Sequence, residues 1–287
     1  MSDLLEPQTE VDDDTIAVNK IVARNISRVF YTNRGGNGQQ AFTAVENLSL
    51  AVKKGEFVTI VGPSGCGKST FLDILAGLSE PSNGEVYIDG RRVTGPGLDR
   101  GIVPQGYALF PWRTVRQNIE YGLEIKKVKK AERKKTSDHF IGLVDLNGFE
   151  NSFPHELSGG MKQRVAIARA LAYDPEVLLM DEPFAAVDAQ TREILQEELL
   201  RIWDKTGKTI IFITHSIEEA VFLADRVVVM ETGPGTIKTV IRVGIDRTSR
   251  TGTLRNTAEY ARVTGIVWNL LHGLGLASGE DIDSASL

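Results

Sequence analysis

Nine consecutive residues, Gly62-Pro63-Ser64-Gly65-Cys66-Gly67-Lys68-Ser69-Thr70, concentrate more chemistry than any other stretch of the chain. Their glycines let the backbone curl so that successive N–H groups point inward at one anion. Lys68 can reach β- and γ-phosphates, the Ser69 hydroxyl can ligate Mg2+, and Thr70 adds a contact on the α-phosphate side. The spacing is that of a P-loop, a pattern that carries meaning only between a strand and a helix. Phe57 to Val61 is an apolar run rich in β-branched residues and reads as the strand, while Lys68 to Ala76 reads as the helix, closed by Gly77. Together they predict a nucleoside-triphosphate site.

More polar residues fall at the carboxyl ends of predicted strands, which is where open α/β sheets bind ligands. Gln105 follows the short strand ending at Val103, Asp181-Glu182 follows the run Val177 to Met180, and His215 follows TIIFIT. Asp181 fits the acid that holds Mg2+ through water, and Glu182 fits the base that takes a proton from an attacking water. Gln105 can bridge that water and the metal, and His215 can donate to the γ-phosphate. Taken singly, each residue has an ordinary reading as a loop or turn group, and the conjunction is what carries the argument. LSGGMKQRVAIARALAY (157–173) has Ser158 as N-cap of a helix whose exposed start is a second anion site. Phe30 or Tyr31, near the end of the strand 21–31, could stack on an adenine, although a core aromatic is the plainer reading.

The rest of the chain must position these groups. With 287 residues and 41% hydrophobic content it can bury a full core, and no apolar run reaches the length of a membrane span. The lone cysteine, Cys66, permits no internal disulfide, which fits a reducing compartment. Residues 1–20 hold six acids and one base, which accounts for the whole net charge of −5. The remainder is balanced and predicts no nucleic-acid partner. The acidic head reads as a disordered tail, residues 126–135 as a solvated basic face, and 136–150 as helix. Ser216 and Glu219 have capping-box spacing. Val263, Ile266, Val267, Leu270 and Leu271 form the stripe of an amphipathic helix, and the final dozen residues read as disordered. Phe110-Pro111-Trp112 is either an exposed docking patch or a local mini-core.

GPSGCGKST, Gln105, LSGGMKQR, VLLMDEP and His215 occur in the order and spacing of ATP-binding cassette (ABC) transporter ATPases, which residues 21–232 resemble. The resemblance implies an α/β fold with a P-loop NTPase core sheet, an antiparallel β subdomain and a small helical subdomain at about 106–172 carrying the LSGG signature. The ATPase domain would span 21–245, leaving 246–287 as a helical extension and tail. ATP and Mg2+ are the implied ligands, with catalytic roles for Glu182, His215, Gln105 and Lys68 and metal contacts from Ser69, Gln105 and Asp181. Gly62 to Thr70 would hold the nucleotide, Phe30 would stack on adenine, and Ser158, Gly159 and Gly160 of a second copy would close a head-to-tail sandwich. Asp188 would belong to the loop linking the two sites, and Phe110, Pro111 and Trp112 would receive a transmembrane permease. A solute-binding protein would act upstream, at one remove, and the subunit would lie peripherally on the cytoplasmic face of the inner membrane. Pro104 stands where an aromatic is usual, and Ala185-Ala186-Val187 where Ser-Ala-Leu is common.

GPSGCGKSTFLDILAGL with LFPWRTVRQNIEYGLE is similar to the importer branch for nitrate, aliphatic sulfonates and taurine. An importer ATPase for another solute is the nearest alternative. DNA-repair ATPases with this signature insert long coiled coils after the P-loop, whereas here about 90 residues without heptads separate the motifs. Translation factors of the tandem type need two P-loops, and a GTPase needs an Asn-Lys-x-Asp motif.

Overall fold

The computed structural model describes residues 4–6, 11–32, 40–185 and 187–273. In chain order, β1 (Leu5–Glu6) and α1 (Asp13–Val18) precede β2 (Ile21–Thr32) and β3 (Gln40–Val52). Next, β4 (Phe57–Val61) runs into α2 (Lys68–Ala76), followed by β5 (Asn83–Ile88), β6 (Arg91–Arg92) and β7 (Arg100–Val103). A helical stretch holds α3 (Val115–Ile125), α4 (Lys130–Leu143) and α5 (Gly159–Ala172). Then β8 (Val177–Asp181), α6 (Ala189–Thr206), β9 (Thr209–Ile213), α7 (Ile217–Leu223) and β10 (Arg226–Glu231) alternate, and β11 (Thr236–Arg242) and α8 (Ala258–Leu271) complete the described chain.

The main sheet has the order β1-β11-β10-β4-β9-β8-β7, with β10 through β7 mutually parallel. A parallel sheet buried on both faces needs apolar residues on both, which is why β4 and β9 are apolar at four of five positions each and buried throughout. Phe57, Leu178, Met180, Phe212 and Val229 pack into one core with the helices from α3 onward. Val58, Ile60, Leu179, Ile211 and Val228 pack into the other, with α2 and the antiparallel sheet β3-β2-β5-β6. Shared strand polarity therefore sets the residues following β4, β7, β8 and β9 along one sheet edge, as the strand-end argument requires.

The acidic head departs from expectation. Its described residues are ordered: Leu5 and Glu6 pair with Ile241 and Val240, and Asp12 caps α1 by accepting from the Thr15 N–H at 2.8 Å. Acids in a first helical turn are favoured by the helix dipole, and one buried apolar residue, Ile16, suffices to dock so short a helix. A six-residue element with a single apolar contact shows no periodicity to a sequence reader. The helix expected at 136–150 is α4, which starts earlier, inside the basic run, and stops before Asp145, whose φ of +53° breaks it. The C-terminal extension docks on the main core, with Tyr260, Val263, Ile266 and Val267 in the same cluster as β10. The tail expected beyond it, and most of the loop 32–40, lie outside the described residues.

Candidate nucleotide-binding site

The predicted strand–loop–helix is present, with β4 ending at Val61 and α2 starting at Lys68. Gly67 caps the helix at φ +89°, where a Cβ would strike the Val45 side chain and lie 2.8 Å from Ala44 O. Gly62 is equally constrained, since a Cβ would lie 2.7 Å from Cys66 Sγ and 2.8 Å from Met230 O. These contacts press the loop against β3 and β10. Lys68 is buried, and its ammonium donates to Gly62 O at 2.8 Å and Pro63 O at 3.0 Å. The cation is thereby parked at the centre of the loop by the loop's own carbonyls. Cys66 is fully buried beneath it and burial pushes its thiol up, so it acts as packing. Pro63, Ser64 and Gly65 form the exposed crest, followed by the exposed Ser69 and the partly exposed Thr70 at the helix start.

Asp181 closes β8 with one carboxylate oxygen, Oδ1, buried and without a hydrogen-bond partner. Burial holds its carboxyl above the usual range against the opposing hydrogen bond from Ser69, and Glu182 and Asp73 push the same way. A buried carboxylate oxygen with no donor, beside a serine hydroxyl, fits a hard cation. Among the described residues no cluster of His, Cys, Asp and Glu forms a complete metal cage.

Glu182 has φ +43°, a left-handed conformation that costs a non-glycine residue about 1–3 kcal/mol and is retained only where the surroundings enforce it. Here its N–H donates across the strand gap to Ile213 O at 3.0 Å, and its own carbonyl accepts from Ala185. The carboxylate meets two of the predicted partners: Gln105 Nε2 donates to Oε2 at 3.2 Å, and His215 Nδ1 lies 3.5 Å from the same oxygen. Three residues from three strand ends thus share one point. No sequence separation could show this.

Other expected residues lie apart. Ser158 caps α5, accepting from the Met161 N–H at 3.3 Å, and Gly160 packs on α6, where a Cβ would come within 2.6 Å of Thr191 Cγ2. Asp188 caps α6 through the Thr191 N–H at 3.0 Å. Phe30 and Tyr31 are not core aromatics: they are 37% and 66% exposed, and Phe30 pairs with Phe42 under the Arg28 guanidinium. The plainer reading fails because both lie at the outer end of the β2–β3 ladder. Val45, which touches Gly67, stands three residues from Phe42, or about 10 Å along a strand.

The Phe110-Pro111-Trp112 alternatives split by residue. Phe110 is a small core, packed on Tyr121 at 4.6 Å with Arg113 and Arg169 against its ring, while Trp112 is 71% exposed. Sequence reading missed the groups that stiffen this loop. Arg169 donates to the carbonyls of Tyr107 and Ala108, both at positive φ, and buried Asn118 staples Phe110, Arg113 and Thr114. It also missed Glu219. Ser216 accepts from the Glu219 N–H, but the carboxylate does not return to complete the box and instead bonds Gln196 inside the core. Its burial beneath the His215 turn had no sequence signal.

The ABC transporter family model matches residues 45–185. An uncharacterised ABC transporter ATP-binding protein of Methanocaldococcus jannaschii is 54% identical over 228 residues, covering 79% of this chain and 84% of that one. The nitrate import ATP-binding protein of a Synechocystis species is 46% identical over 265 residues, covering 91% and 98%. The taurine import ATP-binding protein of Roseobacter denitrificans is 48% identical over 213 residues, covering 74% and 78%. Among solved structures, a dimeric ATP-binding cassette in a post-hydrolysis state with ADP and Pi superposes with TM-score 0.68 at 34% identity, covering 77% of this chain and 98% of that chain. No helix among the described residues is long and apolar enough to cross a membrane. By sequence, fold and the P-loop geometry together, the chain belongs to the ATP-binding subunits of ABC transporters and is an ATPase.

Proposed function

We propose that this ATPase energises an importer of small anionic solutes such as nitrate, aliphatic sulfonates or taurine. The observation that carries the hydrolytic part is the meeting of Gln105 and His215 at the Glu182 carboxylate, one residue past the unpartnered oxygen of Asp181. The solute class rests on the nitrate and taurine importers among the relatives.

In this reading the N–H groups of Gly62 to Thr70 and the α2 dipole hold the phosphates. Lys68 exchanges its two carbonyl acceptors for β- and γ-phosphate oxygens. Mg2+, held by Ser69, Gln105 and Asp181, neutralises phosphate charge when bound. Glu182 accepts the proton of the attacking water, Gln105 orients that water, and His215 donates to the γ-phosphate. Phe30 stacks on the adenine. The N-terminus of α5, capped by Ser158, also carries Gly159 and Gly160. It serves the ATP of a second copy, and the Asp188 turn links the two sites. Trp112 meets a transmembrane permease, and a solute-binding protein feeds that permease from the far side. The stapled loop then ties docking at Trp112 to Gln105, and the subunit sits on the cytoplasmic face of the inner membrane.

Replacing Glu182 with Gln tests the chemistry. Turnover should fall about 100-fold or more, with an ATP-dependent dimer accumulating in gel filtration. Hydrolysis at the wild-type rate would remove Glu182 from the role. For the solute, a strain lacking the gene is grown on nitrate as sole nitrogen source and on taurine or an alkanesulfonate as sole sulfur source. A defect on one medium, rescued by wild type and not by the Gln variant, assigns the class. Normal growth on all of them rejects it.

A further inference from the structure

Glu219 is a buried acid that the hydrolytic scheme does not use. It lies four residues after His215 with its carboxylate closed off from solvent, and burial pushes its carboxyl up. Such a group persists only where hydrogen bonds compensate it. Gln196 Nε2 donates to Oε1 at 2.9 Å, the Thr214 hydroxyl donates to the same carboxylate, and the Arg192 guanidinium faces it with positive charge. Thr214 Oγ1 also accepts from the Ser216 N–H at 3.0 Å. The carboxylate therefore holds Thr214, and Thr214 in turn holds the Ser216 N–H on the other side of His215.

The contact network continues outward. Gln196 Oε1 accepts from Arg255 Nη2 at 2.6 Å, and the Arg255 guanidinium lies 4.0 Å from the centre of the Phe222 ring on α7. Nearby, the Tyr260 hydroxyl donates to Glu218 O at 2.9 Å. Both Arg255 and Tyr260 belong to the C-terminal segment, beyond the residues the family model matches. Arg255 does something specific to the amide. An amide has a donor end and an acceptor end, and only the donor end suits a carboxylate. By occupying Oε1, a guanidinium that cannot accept a hydrogen bond fixes the orientation in which Nε2 faces Glu219.

We propose that Arg255 is a positioning residue for His215, acting through Gln196, Glu219 and Thr214, so that the C-terminal segment sets the alignment of the histidine turn with the γ-phosphate. The relay rests on the assignment of His215 given above. Without Arg255 the Gln196 amide is free to turn its oxygen toward the carboxylate, the Thr214–Ser216 turn loosens, and the histidine is misaligned while nucleotide binding at the P-loop persists.

The test is steady-state and single-turnover ATPase kinetics on the full chain, comparing wild type, Arg255→Ala, Arg255→Lys, His215→Ala and Arg255→Ala with His215→Ala. Arg255→Ala should lower kcat about 3- to 10-fold with KM for ATP held within about twofold, and Arg255→Lys should recover at least half of the loss. In the His215→Ala background, removing Arg255 should change nothing further. A wild-type kcat for Arg255→Ala, or an equal fall in both backgrounds, overturns the relay and leaves Arg255 a folding residue. A wild-type rate for His215→Ala alone overturns the histidine assignment instead, and with it the relay's target. If Arg255→Ala is too unstable to assay, Arg255→Lys is compared with Arg255→Gln by the same criteria.

Discussion

Asn118→Ala removes one buried amide and should loosen the loop that connects Gln105 to α3. The Asn118 side chain accepts from the Phe110 N–H at 2.9 Å and donates to Phe110 O at 3.2 Å, Arg113 O at 3.0 Å and Thr114 O at 3.0 Å. Two of these partners have replacements, since Phe110 O also accepts from Arg113 N and Thr114 O from the Asn118 backbone N–H. The Phe110 N–H and Arg113 O would be left without their partner. An orphaned buried group costs about 1–3 kcal/mol, and half-burial of Phe110 lets water offset part of that, so the net loss should be about 2–3 kcal/mol. In a chain of this size that lowers the melting temperature by about 4–10 °C. Thermal denaturation measures the loss, and ATPase assays with and without the permease locate its effect, which should fall on stimulated turnover more than on ATP binding. A melting shift below about 1 °C would refute the staple, because the loop would then be held by Arg169 and packing alone.

Trp112→Ala should leave the melting temperature unchanged within about 0.5 kcal/mol of stability, because the side chain is exposed, while reducing co-purification with the permease. Early melting of this variant would make Trp112 a packing residue. Glu219→Gln should flatten the pH dependence of stability. The native state holds the Glu219 proton more tightly than the unfolded chain does. Wild-type stability from this group is therefore greatest below the ordinary carboxylate value of 4.5 and declines as pH rises from there through the raised native value. The Gln variant carries no such proton and should gain on wild type as pH increases from 5 to 8, read by melting temperature, and parallel curves would refute the assignment.

Short-range features of this protein were legible in the amino-acid sequence because their causes are short-range. β4 and α2 fall at the residues predicted, since an apolar run bounded by glycines and a helix ended by Gly77 are decided by neighbours in the chain. Gly62, Gly67, Lys68 and Ser69 belong to a single turn and could be read the same way. Hydrophobic runs also announced the strands buried on both faces, and with them the sheet edge where Gln105, Asp181 and His215 had to lie.

Tertiary structure decided what depends on pairing across that sheet. Glu182 meets Gln105 and His215 because β8 lies between β7 and β9, and only the strand order sets that adjacency. Ser216 and Glu219 have the spacing of a reciprocal cap, yet the carboxylate is taken by Gln196, a partner 23 residues away that outcompetes the local backbone. Phe30 and Tyr31 look like core residues in composition and are exposed through their place at a ladder's end. The acidic head gains order from Ile241 and Val240, more than 200 residues distant, and the backbone hydrogen bonds of a sheet edge carry no side-chain signature. By itself, then, the amino-acid sequence determined the glycine loop between β4 and α2 and the polar residues that follow the strand ends, because both are set by contacts within a few residues. Only the fold decided which strand ends touch and which acid is buried, because those outcomes belong to surfaces that exist after the sheet has closed.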